Sequence, residues 1–149
     1  SVRFGLFHEG ELVASMSFGK SRFNKKYEYE LIRFCTKINF IIVGGASKLL
    51  SRFEIEYKPS SLISYANRRW SQGGVYDKLC FKFLRNTPPN YFYFKPNENI
   101  LYSRNKFQKH KLSKILSTFD PQLTESENMY NNGYRKIFDS GNKTYVKTY

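Results

Sequence analysis

Apolar and polar residues alternate from the start of the chain. Val2, Phe4 and Leu6 alternate with polar or small residues, Glu9-Gly10 marks a turn, and Leu12 to Phe18 returns. This predicts a hairpin over 3–18. Tyr27 to Thr36 alternates again, with Tyr27, Tyr29, Leu31 and Arg33 on one face and Glu28, Glu30, Ile32 and Phe34 on the other. That is a strand pattern, although neither face is cleanly apolar. Leu49, Leu50, Phe53 and Tyr57 recur at helical spacing and Pro59 follows, so a helix is expected over 47–57. Ser61 to Ala66 reads as a short buried strand and Val75 to Leu79 as a short helix. Strands are expected at 81–84 and 91–94, around Asn86-Thr87-Pro88-Pro89-Asn90. Beyond Pro96 the pattern changes. Ser103 to Thr118 reads as a helix with Phe107, Leu112, Ile115 and Leu116 on its apolar face. Thr124 followed by Glu127 is a capping box opening a second helix, and Gly133 is its expected stop. Residues 135–147 read as a terminal hairpin around Asp139-Ser140-Gly141-Asn142. The chain thus divides into a core over 1–96 and a helical and hairpin extension over 97–149, packed as one unit.

Composition narrows the class. The 149 residues are 40% apolar, enough for a buried core and too apolar for a disordered chain. The longest apolar run, Phe40-Ile41-Ile42-Val43, is far short of the ~20 residues that span a bilayer, so no membrane partner is expected. No leader pattern is visible, the first residue is not Met, and a strand begins at once. A piece of a longer polypeptide in the cytoplasm of its host cell is the expectation. Cys35 and Cys80 have no metal-binding spacing and are expected as reduced thiols. The 25 Lys and Arg against 12 Asp and Glu give a net charge of +13, which favours a polyanionic partner. The charge is spread along the chain: residues 1–75 hold 12 basic against 6 acidic and residues 76–149 hold 13 against 6. What is local is the absence of acids at 20–26 and 104–114.

Those two stretches and one turn are the candidate nucleic-acid contacts. Lys20, Arg22, Lys25 and Lys26 form a basic loop. Arg68 and Arg69 with Trp70, the only tryptophan, follow a strand. Arginine meets phosphates or base edges bidentately and tryptophan stacks on bases, unless the ring simply packs inward. Arg104, Lys106, Lys109, His110 and Lys111 would meet the phosphate backbone of double-stranded DNA, or merely face water. A different chemistry is suggested by Gly44-Gly45-Ala46-Ser47-Lys48 just before a helix. Free N–H groups at a helix start suit a phosphate, although a Gly-Gly pair also makes a tight turn. The spacing is not that of a Walker loop. His8 and His110 are the only histidines, and no metal-ligand set is expected. No cluster of convergent carboxylates is visible, so nuclease activity in this chain itself is not expected.

The order of these elements resembles the GNAT acyltransferase fold over residues 3–94. The carrying segments are the Gly44-Gly45-Ala46-Ser47-Lys48-Leu49-Leu50 loop and helix start, and Tyr76-Asp77-Lys78-Leu79-Cys80-Phe81. The resemblance implies an α+β fold: a mixed, mostly antiparallel sheet with helices on its faces, here without the family's first strand and first helices. It also implies that Gly44, Gly45, Ala46, Ser47 and Lys48 would hold the pyrophosphate of acetyl-CoA. Tyr76 would act as general acid toward the departing thiolate, and Glu30 would act as base. The sequence departs from the family pattern at Ile41, within its loop, and at Cys80, where the family has glycine. Over nearly the whole chain the sequence also resembles bacteriophage domains that follow nuclease-like modules in homing-endonuclease-like proteins. The carrying segments are 12–22, 27–34, 43–50, 63–71, 90–95, 103–112 and 133–142. This implies a DNA-binding domain of a mobile-element or DNA-processing protein, with an N-terminal nuclease-like module as partner. A more distant similarity to Mom-type DNA-modifying proteins implies, as an alternative, a nucleobase-modifying transferase. A protein-interaction module is the third expectation.

Overall fold

The computed structural model describes residues 1–149. It is an α+β fold whose chain forms two compact units: residues 1–87 with 142–149, and residues 88–141. The division falls at residue 87 rather than 96 because residues 91–94 pair with 102–103 and 135–138, and residues 142–149 return to the first unit's sheet.

The first unit holds β1 (Val2–His8), β2 (Glu11–Lys20), β3 (Tyr29–Thr36), α1 (Gly45–Tyr57), β4 (Ser61–Asn67), α2 (Gly74–Lys78), β5 (Lys82–Asn86) and, after the second unit, β9 (Asn142–Thr148). These strands make one mixed sheet in the order β1-β2-β3-β4-β9-β5. Only β3 and β4 are parallel, and they pair over just three positions, Tyr29–Leu31 against Leu62–Ser64. Beyond Ser64, β4 pairs with β9 alone while β3 continues beside β2, so the two strands part.

The ambiguous faces of β3 have a physical cause. Phe18 lies opposite Leu31, and Ser17 lies opposite Arg33, which leaves Ile32 as an extra residue. A bulge of this kind shifts the alternation by one. Leu31 and Phe34 therefore both reach the core, on either side of it in sequence. That core joins Met16, Phe18, Leu62 and Ala66 of the sheet to Leu49, Leu50 and Phe53 of α1 and to Leu79 after α2. Phe53 stacks on Phe18 at 3.8 Å and on Tyr57 at 5.0 Å, with Phe4 and Tyr29 edge-on. Stacks of this kind add about 0.5–1.5 kcal/mol each beyond area burial. Both helices pack into this one cluster, so they share one face of the sheet rather than covering both as expected.

The second unit holds β6 (Tyr91–Phe94), β7 (Tyr102–Ser103), a 3₁₀ turn over Arg104–Phe107, α3 (Lys109–Leu112), α4 (Glu125–Asn131) and β8 (Arg135–Phe138). Its sheet runs β7-β6-β8 over a small core of Tyr93, Phe107, Leu112 and Met129. Three expectations are corrected here. Residues 103–118 are not one helix. Phe107 and Leu112, both buried, are five positions apart, which no single helical stripe accommodates. The backbone turns extended at Gln108 to bring both inward. Residues 135–147 are not a hairpin: β8 pairs with β6, and β9 with β4 and β5. The strands at 82–86 and 91–94 are not partners either. Pro88-Pro89 between them donate no backbone hydrogen bond, and the strands enter different sheets. The capping box at Thr124 and Glu127 does form, and its bonds hold the Glu127 carboxyl below the usual range. No helix is long and apolar enough to cross a membrane.

Candidate functional site

The loop from β3 to α1 borders an open cleft of about 590 Å3. Phe34, Phe40, Val75, Lys78 and Leu79 are among the residues that line it. Gly44 to Ser47 form its edge. Of the run Phe40 to Val43, only Ile42 packs against the core, while Ile41 and Val43 are 92% and 90% exposed. Gly44 caps α1 in the left-handed region at φ 71°, which glycine enters without steric cost. It has no side chain to accept from the first-turn N–H groups, and no acid stands in that turn. The structure brings Gly44, Gly45, Ala46 and Ser47 to the cleft but not Lys48. The cation that lines it is Lys78, which in sequence stands only as part of the Tyr76 to Phe81 segment.

Tyr76 lies where β3 and β4 part. Its hydroxyl is 2.9 Å from Ser64 Oγ, which is 2.7 Å from the Leu31 carbonyl oxygen. With one hydroxyl proton on Ser64, the chain reads Tyr76 to Ser64 to Leu31. Tyr76 stacks on Tyr145 at 4.6 Å, and burial raises its hydroxyl above the usual tyrosine range. Gly73 makes room for this stack. It sits at φ 94°, and a Cβ there would stand 1.8 Å from the Tyr145 hydroxyl.

Glu30 is not in that site. Leu31 enters the helix-side core, so Glu30, the preceding residue of the strand, points to the opposite face. Its buried carboxylate accepts from Arg22: Nη2 at 2.5 Å, and Nε and the backbone N–H each at 3.2 Å. The expected pairing of Tyr76 with Glu30 as acid and base is therefore corrected by the strand's own alternation. A general base needs a free lone pair within reach of its substrate.

The same contact changes the basic loop. Arg22 is neutralised by Glu30, Lys20 lies 3.5 Å from Glu28, and Lys25 donates to the Ser21 carbonyl at 2.7 Å. Of the four, only the Lys26 ammonium makes no bond to either a carboxylate or a carbonyl. An acid-free stretch in sequence is thus not acid-free in space, because the next strand folds its carboxylates against it.

The remaining cations differ. Arg68, Arg69 and Trp70 follow β4 in a turn held by Asn67, whose side chain accepts from the Arg69 N–H at 2.9 Å. Trp70 is exposed, with the Arg69 guanidinium 4.7 Å from its ring centre. Arg104, Lys106, Lys109, His110 and Lys111 are all exposed. The second unit carries eight Lys and Arg against five Asp and Glu, and every ion pair of the molecule lies in the first. Five of the eight lie over aromatic rings: Lys95 on Tyr134, Arg104 on Tyr91, Lys106 on Tyr102, Arg135 on Tyr130 and Lys136 on Tyr91. Lys95, Arg135 and Lys136 were missed by sequence. Each lies in or beside an aromatic strand, where the aromatic alternation marks a sheet and gives no sign of a cation resting on the rings. No group of three or more His, Cys, Asp or Glu comes together as a metal site would need, and Cys35 and Cys80 are free thiols.

No protein-family model matches this sequence, and no curated protein matches it.

Proposed function

We propose that the chain is a DNA-binding domain whose first unit is GNAT-like. The DNA reading is carried by the second unit's cations, all eight without a carboxylate partner and five resting on tyrosine rings. A DNA backbone meets such cations without displacing any protein carboxylate, and releases its own counterions on doing so. These contacts position the protein without selecting a sequence. Arg68 and Arg69 add further unpaired guanidinium groups. The GNAT-like reading is supported by the parallel pair that parts after Leu31 and Ser64, beside a cleft edged by Gly44 to Ser47. The resemblance to phage domains supports a place in a mobile-element or DNA-processing protein beside a nuclease-like module. Duplex affinity measured against salt concentration tests the reading. The expected log–log plot is linear and steep, each neutralised phosphate adding a slope of about −0.9. A flat plot would overturn it.

A second reading is favoured by the cleft itself. A nucleobase-modifying transferase would hold the phosphates of acetyl-CoA, or of another phosphorylated cofactor, at the N–H groups of Ala46 and Ser47, with Lys78 nearby, since the Gly45 N–H is donated to the Ile42 carbonyl at 3.1 Å. The cofactor would supply the acyl group. Tyr76 keeps its proton, aligned by Ser64, at the fork between β3 and β4. Glu30 takes no part. Calorimetry with acetyl-CoA, joined to mass analysis of incubated DNA, separates the readings: heat of binding and a mass increase support the transferase. Failure to bind any nucleic acid would instead favour a protein-interaction module.

A further inference from the structure

Phe23 and Trp70 are the two most exposed aromatic side chains of the chain, at 75% and 77%. They are also the only two rings of the first unit that carry an arginine. Arg22 lies 5.2 Å from the Phe23 ring centre and Arg69 4.7 Å from that of Trp70. Exposed Phe and Trp rings are costly to leave in water, and neither closes a core here.

The backbone beneath both rings is held by turns. Around Phe23, Ser21 Oγ donates to the Asn24 carbonyl at 2.7 Å, and Asn24 Oδ1 accepts from the Lys26 N–H at 3.1 Å. Arg22 is anchored on the buried Glu30, and Phe23 meets Tyr65 edge-on at 5.8 Å. Trp70 is set by the Asn67 turn, its own N–H donating to the Asn67 carbonyl at 3.1 Å. Tyr65 and Asn67 both belong to β4, two residues apart, a rise of roughly 7 Å. One short strand therefore reaches both rings. The cations of this patch, Arg68, Arg69 and Lys26, have no carboxylate partner.

We infer that this patch takes unpaired nucleotides: two bases stack on Phe23 and Trp70 while Arg68 and Arg69 meet the phosphates between or beside them. Paired bases expose their edges and hide their faces, so an exposed, arginine-flanked ring fits a base out of the stack. A fixed backbone beneath the rings spares part of the ordering cost of binding. The inference rests on the DNA reading above and adds the kind of DNA the first unit meets.

Trp70 is the only tryptophan, so its emission reports on this patch alone. The probes are a fully paired duplex, the same duplex with a gap of a few unpaired thymidines, and a single strand of thymidines, at one salt concentration. The expected result is quenching of Trp70 by the gapped and single-stranded probes but not by the intact duplex. Affinity for the gapped probe, followed by anisotropy of labelled DNA, should be about tenfold tighter than for the intact one. Phe23→Ala should remove most of that preference and leave intact-duplex affinity unchanged. As Phe23 is exposed, the variant keeps its fold. Equal binding of gapped and intact DNA with unchanged emission would overturn the inference and leave the DNA reading standing. No binding of any probe would overturn both.

Discussion

The basic loop at 20–26 and the basic stretch at 104–111 look alike as sequence and differ as structure. Both lack acids over their length. In the loop, the following strand returns Glu28 and Glu30 against Lys20 and Arg22, and Lys25 is bonded to backbone. In the stretch, Lys109 and Lys111 reach only carbonyls, of Pro121 and Asn105, and Arg104 and Lys106 lie over rings. A local charge count therefore says little until the partners brought by the fold are known. The loop's charge is largely met by its own carboxylates and carbonyls, while the stretch's charge meets no carboxylate.

The largest effect that would sharpen this contrast is on binding. Replacing Arg104, Lys106, Lys109 and Lys111 by Ala should cost two to three decades of duplex affinity at low salt, if each meets a phosphate. Urea unfolding of the same variant should change little, since exposed positions of this kind shift stability by about 0.5 kcal/mol or less each. The next effect is on stability. Arg22→Ala leaves the Glu30 carboxylate buried without its cation, and removing one partner of such a pair costs about 3–5 kcal/mol, less here because Arg22 is half exposed. Midpoints in urea would read it. Gly73→Ala should destabilise by a similar or smaller amount, through both the positive φ and the clash with Tyr145. The smallest effect is with pH. The Ser60 N–H and hydroxyl hold the Glu28 carboxyl below its usual range. Its contribution is therefore present above the unfolded carboxylate range and lost as pH falls through the lowered folded value. Glu28→Gln should flatten that acid limb slightly in thermal unfolding curves.

Much of the first unit was legible in sequence. The hairpin, β3, α1, β4 and α2 fall where the sequence pattern places them: α1 buries one regular stripe, and β4 is a short run buried on both faces. The bulge at Ile32 was foreshadowed only by the strand's mixed faces. The second unit was read less well. Its helix over 103–118 is broken at Gln108 to bury Phe107 and Leu112 together, a demand set by a core of long-range aromatic contacts. The final hairpin failed for a related reason: Asp139 bonds to Asn90 and turns the chain out of one sheet before it enters the other. At the site, Gly44 to Ser47 do edge the cleft. Glu30 lies outside the site because the strand's alternation gives the core face to Leu31; what alternation does not reveal is Arg22 folding back onto the carboxylate.

The central claim is that the free cations of the second unit, and not those of the first loop, hold the DNA backbone. The most direct measurement is the salt dependence of duplex affinity for two variants, one with Lys20, Lys25 and Lys26 changed to Ala, the other with Arg104, Lys106, Lys109 and Lys111 changed. The account predicts that the second variant loses roughly 3 from the magnitude of the log–log slope and the first less than about 1. Equal losses in the two, or an unchanged slope in the second, would contradict it.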